Sequence, residues 1–228
     1  MKLRSNKAKF LVLAFSLAAL CLHAFGQEIR DQKEAERIYR LSLEQSKYNR
    51  LYFDEADRCR KLNSEQKYDE AIVVCKRSIV YAEKLPASRV LERQAGYIQI
   101  GIAYLRKRKP NEALEYFEKG FVVGESLLDE TDVETGEIYF LIGQAHHIDK
   151  NIERASEFYD KAETSVRAAF DEMGEDGDEF RARYPKIVWY ILEAHLMLFE
   201  EIEEHERAEA IRKRTREFEI AFRKYLDH

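Results

Sequence analysis

The sequence predicts an all-α protein, an α-solenoid built from about three to four antiparallel helix pairs with a capping helix at each end. Two observations predict this fold class. Apolar residues recur at i, i+3, i+4 and i+7 and nowhere alternate with a period of two, which favours helices over strands. A pattern of aromatic and small residues also recurs at a fixed interval of 42 residues, which is typical of repeat architectures.

Composition excludes several other classes of protein. Of the 228 residues, 45% are hydrophobic and 36% are charged, with nine glycines and three prolines, so neither disorder nor a collagen-like chain is expected. No apolar stretch approaches the ~20 residues that cross a bilayer, which excludes a multispanning membrane protein. The formal net charge is -5, and this acidic balance disfavours nucleic acid as a partner.

The N-terminus has the layout of a secretory signal peptide. Residues 1–9 are basic, residues 10–22 are almost wholly apolar, and Ala24 and Gly26 are the small residues at positions -3 and -1 before Gln27. The apolar segment would reach only ~20 Å as a helix, which is short of the ~30 Å hydrocarbon core, so a permanent anchor is disfavoured. We expect cleavage after Gly26, export to the periplasm or secretion in a bacterium, and no stable membrane anchor afterwards.

A lipoprotein is the less favoured alternative for this N-terminus. Cys21 lies late in the apolar segment, but the lipidation pattern requires a small residue just before the cysteine, and Leu20 stands there.

The 42-residue interval joins seven pairs of positions. One unit contains Tyr97, Ile100, Gly101, Tyr104, Ala113, Phe117 and Gly120, and the next contains Tyr139, Ile142, Gly143, His146, Ala155, Tyr159 and Ala162. A third copy lies upstream and includes Cys59, Leu62, Tyr68, Ala71, Cys75 and Ser78. A fourth is centred on Ala208, 53 residues after Ala155.

Each unit is predicted to be two helices joined by a short turn. For the two clearest units we predict helices over residues 87–107, 111–128, 133–149 and 152–172. Small residues such as Gly101 and Gly120 let two antiparallel helices approach closely, and Phe117 fills the space beside that contact. Pro110 is compatible with the first turn of a helix, where its missing N–H costs nothing.

At these positions the chain resembles the tetratricopeptide repeat family, whose pattern is an aromatic residue, Leu-Gly and Tyr, followed by Ala, an aromatic residue and a second Ala. The 42-residue interval is similar to the longer repeats of kinesin light chains, with the additional residues extending the second helix over 122–128 and the loop. The resemblance covers residues 52–215 and implies a right-handed superhelix. The chain departs from the family pattern at His146, Arg212 and Thr215.

The sequence therefore divides into four segments. Residues 1–26 form the signal peptide, 27–50 an N-terminal capping helix, 51–215 the repeat domain and 216–228 a C-terminal capping helix. In the N-terminal cap, Ala35, Tyr39 and Ser42 have the spacing of the second helix of a unit whose first helix is absent. The acid-rich segment 171–179 is predicted to be a loop between units.

Cys59 and Cys75 are 16 residues apart and are predicted to lie on facing helices of one hairpin, at similar heights above its turn. An oxidising compartment would allow them to form a disulfide. Buried free thiols are the alternative, because cysteine also packs well as a small apolar residue.

No catalytic or metal-binding signature is present, so we expect a protein that is not an enzyme and needs neither cofactor nor metal. His146 and His147 are adjacent and would point about 100° apart on a helix, whereas two ligands on one face need a spacing of three or four residues. The acid-rich segment 171–179 does not reproduce the register of a calcium-binding EF-hand loop.

The resemblance implies that the first helix of each unit lines a concave groove. Carried over unit by unit, the candidate partner-binding residues are Arg60, Ile98, Ile102, Leu105, Arg106, Phe140, Gln144 and His147, and the wider stripe adds Phe53, Ala56, Tyr190, Glu193 and Met197. An apolar centre with a charged rim favours a partner helix or an extended apolar peptide. Alternatively, the chain's own C-terminal segment could fill the groove with Phe218, Ile220, Ala221, Phe222 and Tyr225.

These observations favour an exported scaffold that holds a protein or peptide partner, in an envelope or periplasmic assembly. The alternative is a small-ligand sensor or an enzyme accessory protein, with a pocket between units lined by Tyr104, Tyr139 and His146.

Overall fold

The computed structural model describes residues 3–125, 132–172 and 178–226, and its regular elements are all helices. They are α1 (Leu3–Ser64), α2 (Tyr68–Ala82), α3 (Val90–Arg106), α4 (Pro110–Gly124), α5 (Val133–Ile148), α6 (Ile152–Glu172), α7 (Asp178–Glu201) and α8 (His205–Leu226). The prediction of an all-α solenoid of adjacent helix pairs is confirmed.

The chain divides into two compact units, Met1–Tyr48 and Asn49–His228. The first unit is a single helical segment of α1, and no helix boundary falls at residue 26 or at residue 50. The side chains of the predicted signal peptide, residues 1–26, lie outside the described part. Within the described residues, no helix is long and apolar enough to cross a membrane.

The second unit is a row of helix pairs. Helix α3 packs on α4, α5 on α6 and α7 on α8, and each pair packs on the next through the contacts α2–α3, α4–α5 and α6–α7. The last turns of α1 complete a pair with α2, to which they are joined by a disulfide between Cys59 and Cys75 with a Cα–Cα distance of 5.2 Å. The first helices of neighbouring pairs also touch, α3 on α5 and α5 on α7.

The turns inside the four pairs have the same backbone conformation. One residue in each has a positive φ, and these residues are Gln66, Arg108, Lys150 and Glu203, with φ between 56° and 62°. In each turn the next N–H donates to the carbonyl five residues earlier, as Lys109 does to Tyr104 at 3.0 Å and Glu204 to Phe199 at 3.0 Å. This left-handed helix ending satisfies carbonyls that the helix leaves open. The turns are 42, 42 and 53 residues apart, which are the intervals of the sequence repeat.

The helix contacts are also repeated from pair to pair. Tyr104 stacks on Tyr116 with ring centres 5.5 Å apart, and 42 residues later His146 stacks on Phe158 at 5.6 Å. The flat imidazole of His146 thus takes the place of the family's aromatic ring. A β-carbon added to Gly143 would lie 2.7 Å from the ring of Tyr159, which explains why this position must be glycine.

Three predicted boundaries are wrong. Helix α4 ends at Gly124, where the flexible residue favours termination, and residues 126–128 of the predicted extension lie outside the described part. The ends of the acid-rich segment are helical rather than looped, because α6 continues to Glu172 and α7 begins at Asp178, where an acidic first turn favours a helix N-terminus. No helix break falls at residue 216, because residues 216–226 continue α8, whose one non-helical residue is Phe222.

Candidate partner-binding groove

The surface predicted to bind a partner is formed by the last turns of α1 together with α3, α5 and α7, and we call it the groove. Polar contacts join neighbouring helices along it. The Asn63 side-chain amide donates to the backbone carbonyl of Gln99 at 3.0 Å, which connects α1 to α3. His147 Nε2 lies 3.0 Å from Glu201 Oε2, which connects α5 to α7. The predicted residues of different units therefore lie on adjacent helices.

The apolar candidates on α3 differ in how far they are covered. Ile98 and Ile102 are half-buried at the edge of the core cluster shared by α3, α4 and α5. Leu105 is fully buried in that cluster, together with Ala113 and Ile142. Leu105 is therefore covered in this fold. Its apolar side chain, which was predicted to bind a partner, belongs to the core instead.

The candidates on α5 are all half-buried. The ring of Phe140 lies 5.9 Å from that of Tyr159, so one of its faces is covered by α6. His147 contacts the Tyr159 hydroxyl through Nδ1 at 3.3 Å as well as Glu201 through Nε2. Gln144 lies between them on the same face of the helix. These three positions can offer only part of their surface to a partner.

Both arginines predicted for the rim are exposed. Arg60 forms an ion pair with Asp57, three residues earlier on the same helix. Arg106 lies in the last turn of α3. An exposed ion pair such as that of Arg60 contributes little to stability. The guanidinium groups of Arg60 and Arg106 can therefore both turn toward an acidic group on a partner.

The apolar surface extends further than the predicted set of residues. On α7, Tyr190 and Met197 are exposed and Glu193 between them is half-buried. On α3 the stripe continues backwards to the exposed Leu91, which sequence reasoning missed. Leu91 lies seven residues before Ile98, so extending the helical period by two turns would have found it.

The C-terminal segment does not occupy the groove in the described residues. Phe218 is buried in the core of the last two helix pairs, and its ring lies 6.2 Å from that of Tyr184 on α7. The ring of Phe222 lies 6.0 Å from that of Phe170 on α6. Helix α8 is further tied to α6 by an ion pair of Arg214 with Asp160 at 3.1 Å. The side chain of Tyr225 lies outside the described part.

The three residues proposed to line a small-ligand pocket are instead engaged with neighbouring rings. Tyr104 stacks on Tyr116, while Tyr139 and His146 both pack against Phe158. Tyr139 also borders an open surface depression that neither of the other two lines. Among the described side chains, no group of three or more His, Cys, Asp or Glu residues could hold a metal ion.

A buried polar contact lies in the last repeat. His195 occupies the position where the two preceding units have Ile100 and Ile142, and only 1% of its surface is exposed. Its Nε2 shares a hydrogen bond with the hydroxyl of Ser156 at 2.8 Å. Burial lowers the pKa of His195 to about 4, against the opposing pull of Asp160, whose carboxylate lies 3.8 Å from Nδ1. Because both partners are buried, this serine and histidine are out of reach of a substrate and act as a packing contact.

This buried histidine predicts a pH-dependent stability. The folded chain keeps His195 neutral, whereas the unfolded chain binds a proton near a pKa of about 6.5. The protein should therefore be most stable above that value and lose about 2 kcal/mol of unfolding free energy between about pH 6.5 and pH 5. Urea titrations across this range measure the loss. His195→Gln should flatten the slope, and the exposed His205→Gln should retain it; an equal slope in both variants would contradict the assignment.

Residues 92–168 match the sequence profile of the tetratricopeptide repeat family. Residues 92–168 are therefore identified as tetratricopeptide repeats. The match covers α3 to α6 almost completely, the two pairs whose motif is clearest. In this family the repeat fold generally mediates protein–protein interaction.

Two solved structures are similar to the chain. One, described as kinesin light chain nearly identical TPR-like repeats from Podosopora anserina, is 11% identical with a TM-score of 0.44, covering 73% of this chain and 93% of that one. The other, BtubC (BKLC) from P. vanneervenii, is 13% identical with a TM-score of 0.42, covering 80% and 92%. Comparison with curated proteins gave no significant match.

Proposed function

We propose that this protein is an exported, non-enzymatic tetratricopeptide repeat scaffold that binds a protein or peptide partner along its groove, in an envelope or periplasmic assembly. The observation that carries the proposal is the accessible apolar stripe on α3, α5 and α7. Its members are Leu91, Ile98, Ile102, Phe140, Tyr190 and Met197. Export is supported by the signal-peptide layout of residues 1–26.

The width of the stripe sets the length of the partner segment that can lie across it. Neighbouring packed helices lie about 10 Å apart, so crossing from α3 to α7 takes about 20 Å. An extended chain covers that distance with about six residues, and a helix lying across the groove with about four turns. Apolar side chains at the centre of such a segment would fill the spaces beside Ile102 and Phe140.

Charges of both signs border the groove. Arg60 and Arg106 lie on α1 and α3, whereas Glu193 and Glu201 lie on α7. Burial and the neighbouring Glu219 and Glu200 raise the pKa of Glu193, so a cation there would be favoured. A partner segment that is acidic at its α3 end and basic at its α7 end fits this polarity, and the charges would set its direction.

The test compares two matched aspartate substitutions. Met197→Asp changes a side chain in the groove that is 52% exposed, and Val122→Asp makes the same kind of change on α4, outside the groove, at 66% exposure. Both sites are on the surface, so neither variant should unfold the chain, whereas Ile102→Asp would also disturb the core. The measurement is affinity capture from an envelope extract with quantitative mass spectrometry.

We expect one partner to be captured equally by wild type and Val122→Asp and about tenfold less by Met197→Asp, since one buried interface side chain contributes about 1–2 kcal/mol. Equal capture by both variants, or no specific partner for the wild type, would overturn the groove proposal. A purified partner then gives the dissociation constants directly.

A further inference from the structure

Residues 31–47 of α1 carry an apolar stripe that is exposed in the part of the chain that the structure describes. Ile38, Tyr39, Leu41 and Leu43 are 48–66% exposed, and Ala35 and Ser42 beside them are exposed too. At about 100° per residue, Ala35, Tyr39 and Ser42 fall along the middle of the stripe, with Ile38 toward one edge and Leu43 toward the other, whereas Leu41 lies outside it, about 120° from Ala35. The opposite face of the helix is charged, with Lys33, Arg40 and Glu44.

The same spacing marks a covered surface elsewhere in this chain. The stripe contains Ala35, Tyr39 and Ser42, which are separated by four and then three residues. In each of the next three helix pairs, three residues with this same spacing face the first helix of the pair. All members of those sets are buried: Ala71, Cys75, Ser78, Ala113, Phe117, Gly120, Ala155, Tyr159 and Ala162. Since an antiparallel helix covers each of the other three, the stripe on residues 31–47 is a packing surface that lacks its helix in the described residues.

We propose that the missing helix is the same segment of a second copy of this chain, lying antiparallel about a twofold axis that passes between Leu41 and Ser42. In such a pair the same edges of the two stripes meet. Glu36 and Lys47 lie on one edge and are equally distant from this axis, in opposite directions. Glu36 of each copy therefore faces Lys47 of the other, which gives two ion pairs of complementary sign.

The apolar side chains agree with this register. Tyr39 of one copy falls opposite Leu43 of the other, twice, between the two ion pairs, and the two Ser42 residues meet at the axis. The small residues Ala35 and Ser42 let the helices approach closely. A parallel pair would instead bring Glu36 beside Glu34 of the second copy, where like charges repel.

The contact is of modest size, which sets how the dimer should behave. Residues 31–47 form about 26 Å of helix, and a pair this short buries less than the about 1,200–2,000 Å² typical of stable complexes. Exposed ion pairs fix orientation more than they add affinity. The dimer should therefore form and dissociate with protein concentration.

The test is sedimentation equilibrium of the protein expressed from its complete sequence and purified as the cell produces it, at about 1 to 200 µM. Wild type should show a monomer–dimer equilibrium. Glu36→Lys or Lys47→Glu should weaken it about tenfold, and the double variant Glu36→Lys/Lys47→Glu should restore it, because both ion pairs are then reversed. Glu44→Lys, the same change on the opposite face, should leave the dimer unaffected.

Cross-linking tests the register independently. Mild oxidation should join Ser42→Cys into a covalent dimer and leave Glu44→Cys monomeric, since residue 42 faces its own copy across the axis and residue 44 lies on the opposite side of the helix. A wild type that is monomeric at every concentration would overturn the proposal and leave a helix of another protein as the occupant. A double charge reversal that fails to restore the dimer would overturn the antiparallel register.

Discussion

Truncating Phe117 to alanine is expected to lower the free energy of unfolding by about 4 kcal/mol. The ring is fully buried in the contact between α3 and α4. It lies directly against Gly101, where an added β-carbon would overlap it. Because α3 and α4 also pack on each other along the rest of their length, they cannot fully close the space that the ring leaves, and a cavity remains. Urea denaturation followed by circular dichroism measures the loss.

Phe53→Ala provides the matched control, because it removes the same ring from a site that is 47% exposed. Phe53 contacts Tyr52 at a ring distance of 5.1 Å, and so its loss should cost only about 1 kcal/mol. Similar losses for the two variants would show that Phe117 does not fill the contact between the helices. The comparison separates burial from ring chemistry, since the chemical change is identical.

The repeat could be predicted from the sequence because the helix contact demands particular residues. Close approach requires a small residue such as Gly143 opposite a large one such as Tyr159, and this pair of demands appears at a fixed interval in the sequence. Helices α5 and α6 accordingly begin at the predicted residues and end within one residue of prediction. Where the contact residues are clear, the sequence determines the local fold.

The fourth pair was harder to predict because its contact residues have changed. With the 53-residue interval, Phe199 takes the place of His146 and His195 the place of Ile142. A histidine on an apolar face is a weak signal in the sequence, since its hydrogen bond to Ser156 involves a residue 39 positions away. The shared turn at Glu203 is a property of the backbone, and its sequence shows no glycine to reveal it.

The groove could be predicted only as a face of the helices. Ile102 and Leu105 are three residues apart on α3 and have the same apolar character, yet one is half-buried and the other fully buried. Leu105 lies inside a core cluster with residues of α4 and α5, whereas Ile102 lies at the edge of that cluster. How far one repeat covers the next depends on their mutual packing, and periodicity within a single helix does not contain that information.

Reducing the disulfide between Cys59 and Cys75 is expected to lower the free energy of unfolding by about 3 kcal/mol. The bond closes a loop of 16 residues that includes the turn at Gln66, and the unfolded chain gains the entropy of that loop when the bond is reduced. Both cysteines are buried, so the two thiols remain packed in the reduced folded protein. Urea titrations with and without reductant measure the difference without changing the sequence.

The double variant Cys59→Ala/Cys75→Ala supplies the control, because reductant should not change its stability. An unreduced wild type that gives two free thiols after export would contradict the bridge, and a reductant effect of the same size in the double variant would show a different cause. The intact mass of the exported protein tests both the cleavage of the signal peptide and the formation of the disulfide. It should fit a sequence beginning at Gln27 and lacking two hydrogens, because signal cleavage and oxidation take place in the same compartment.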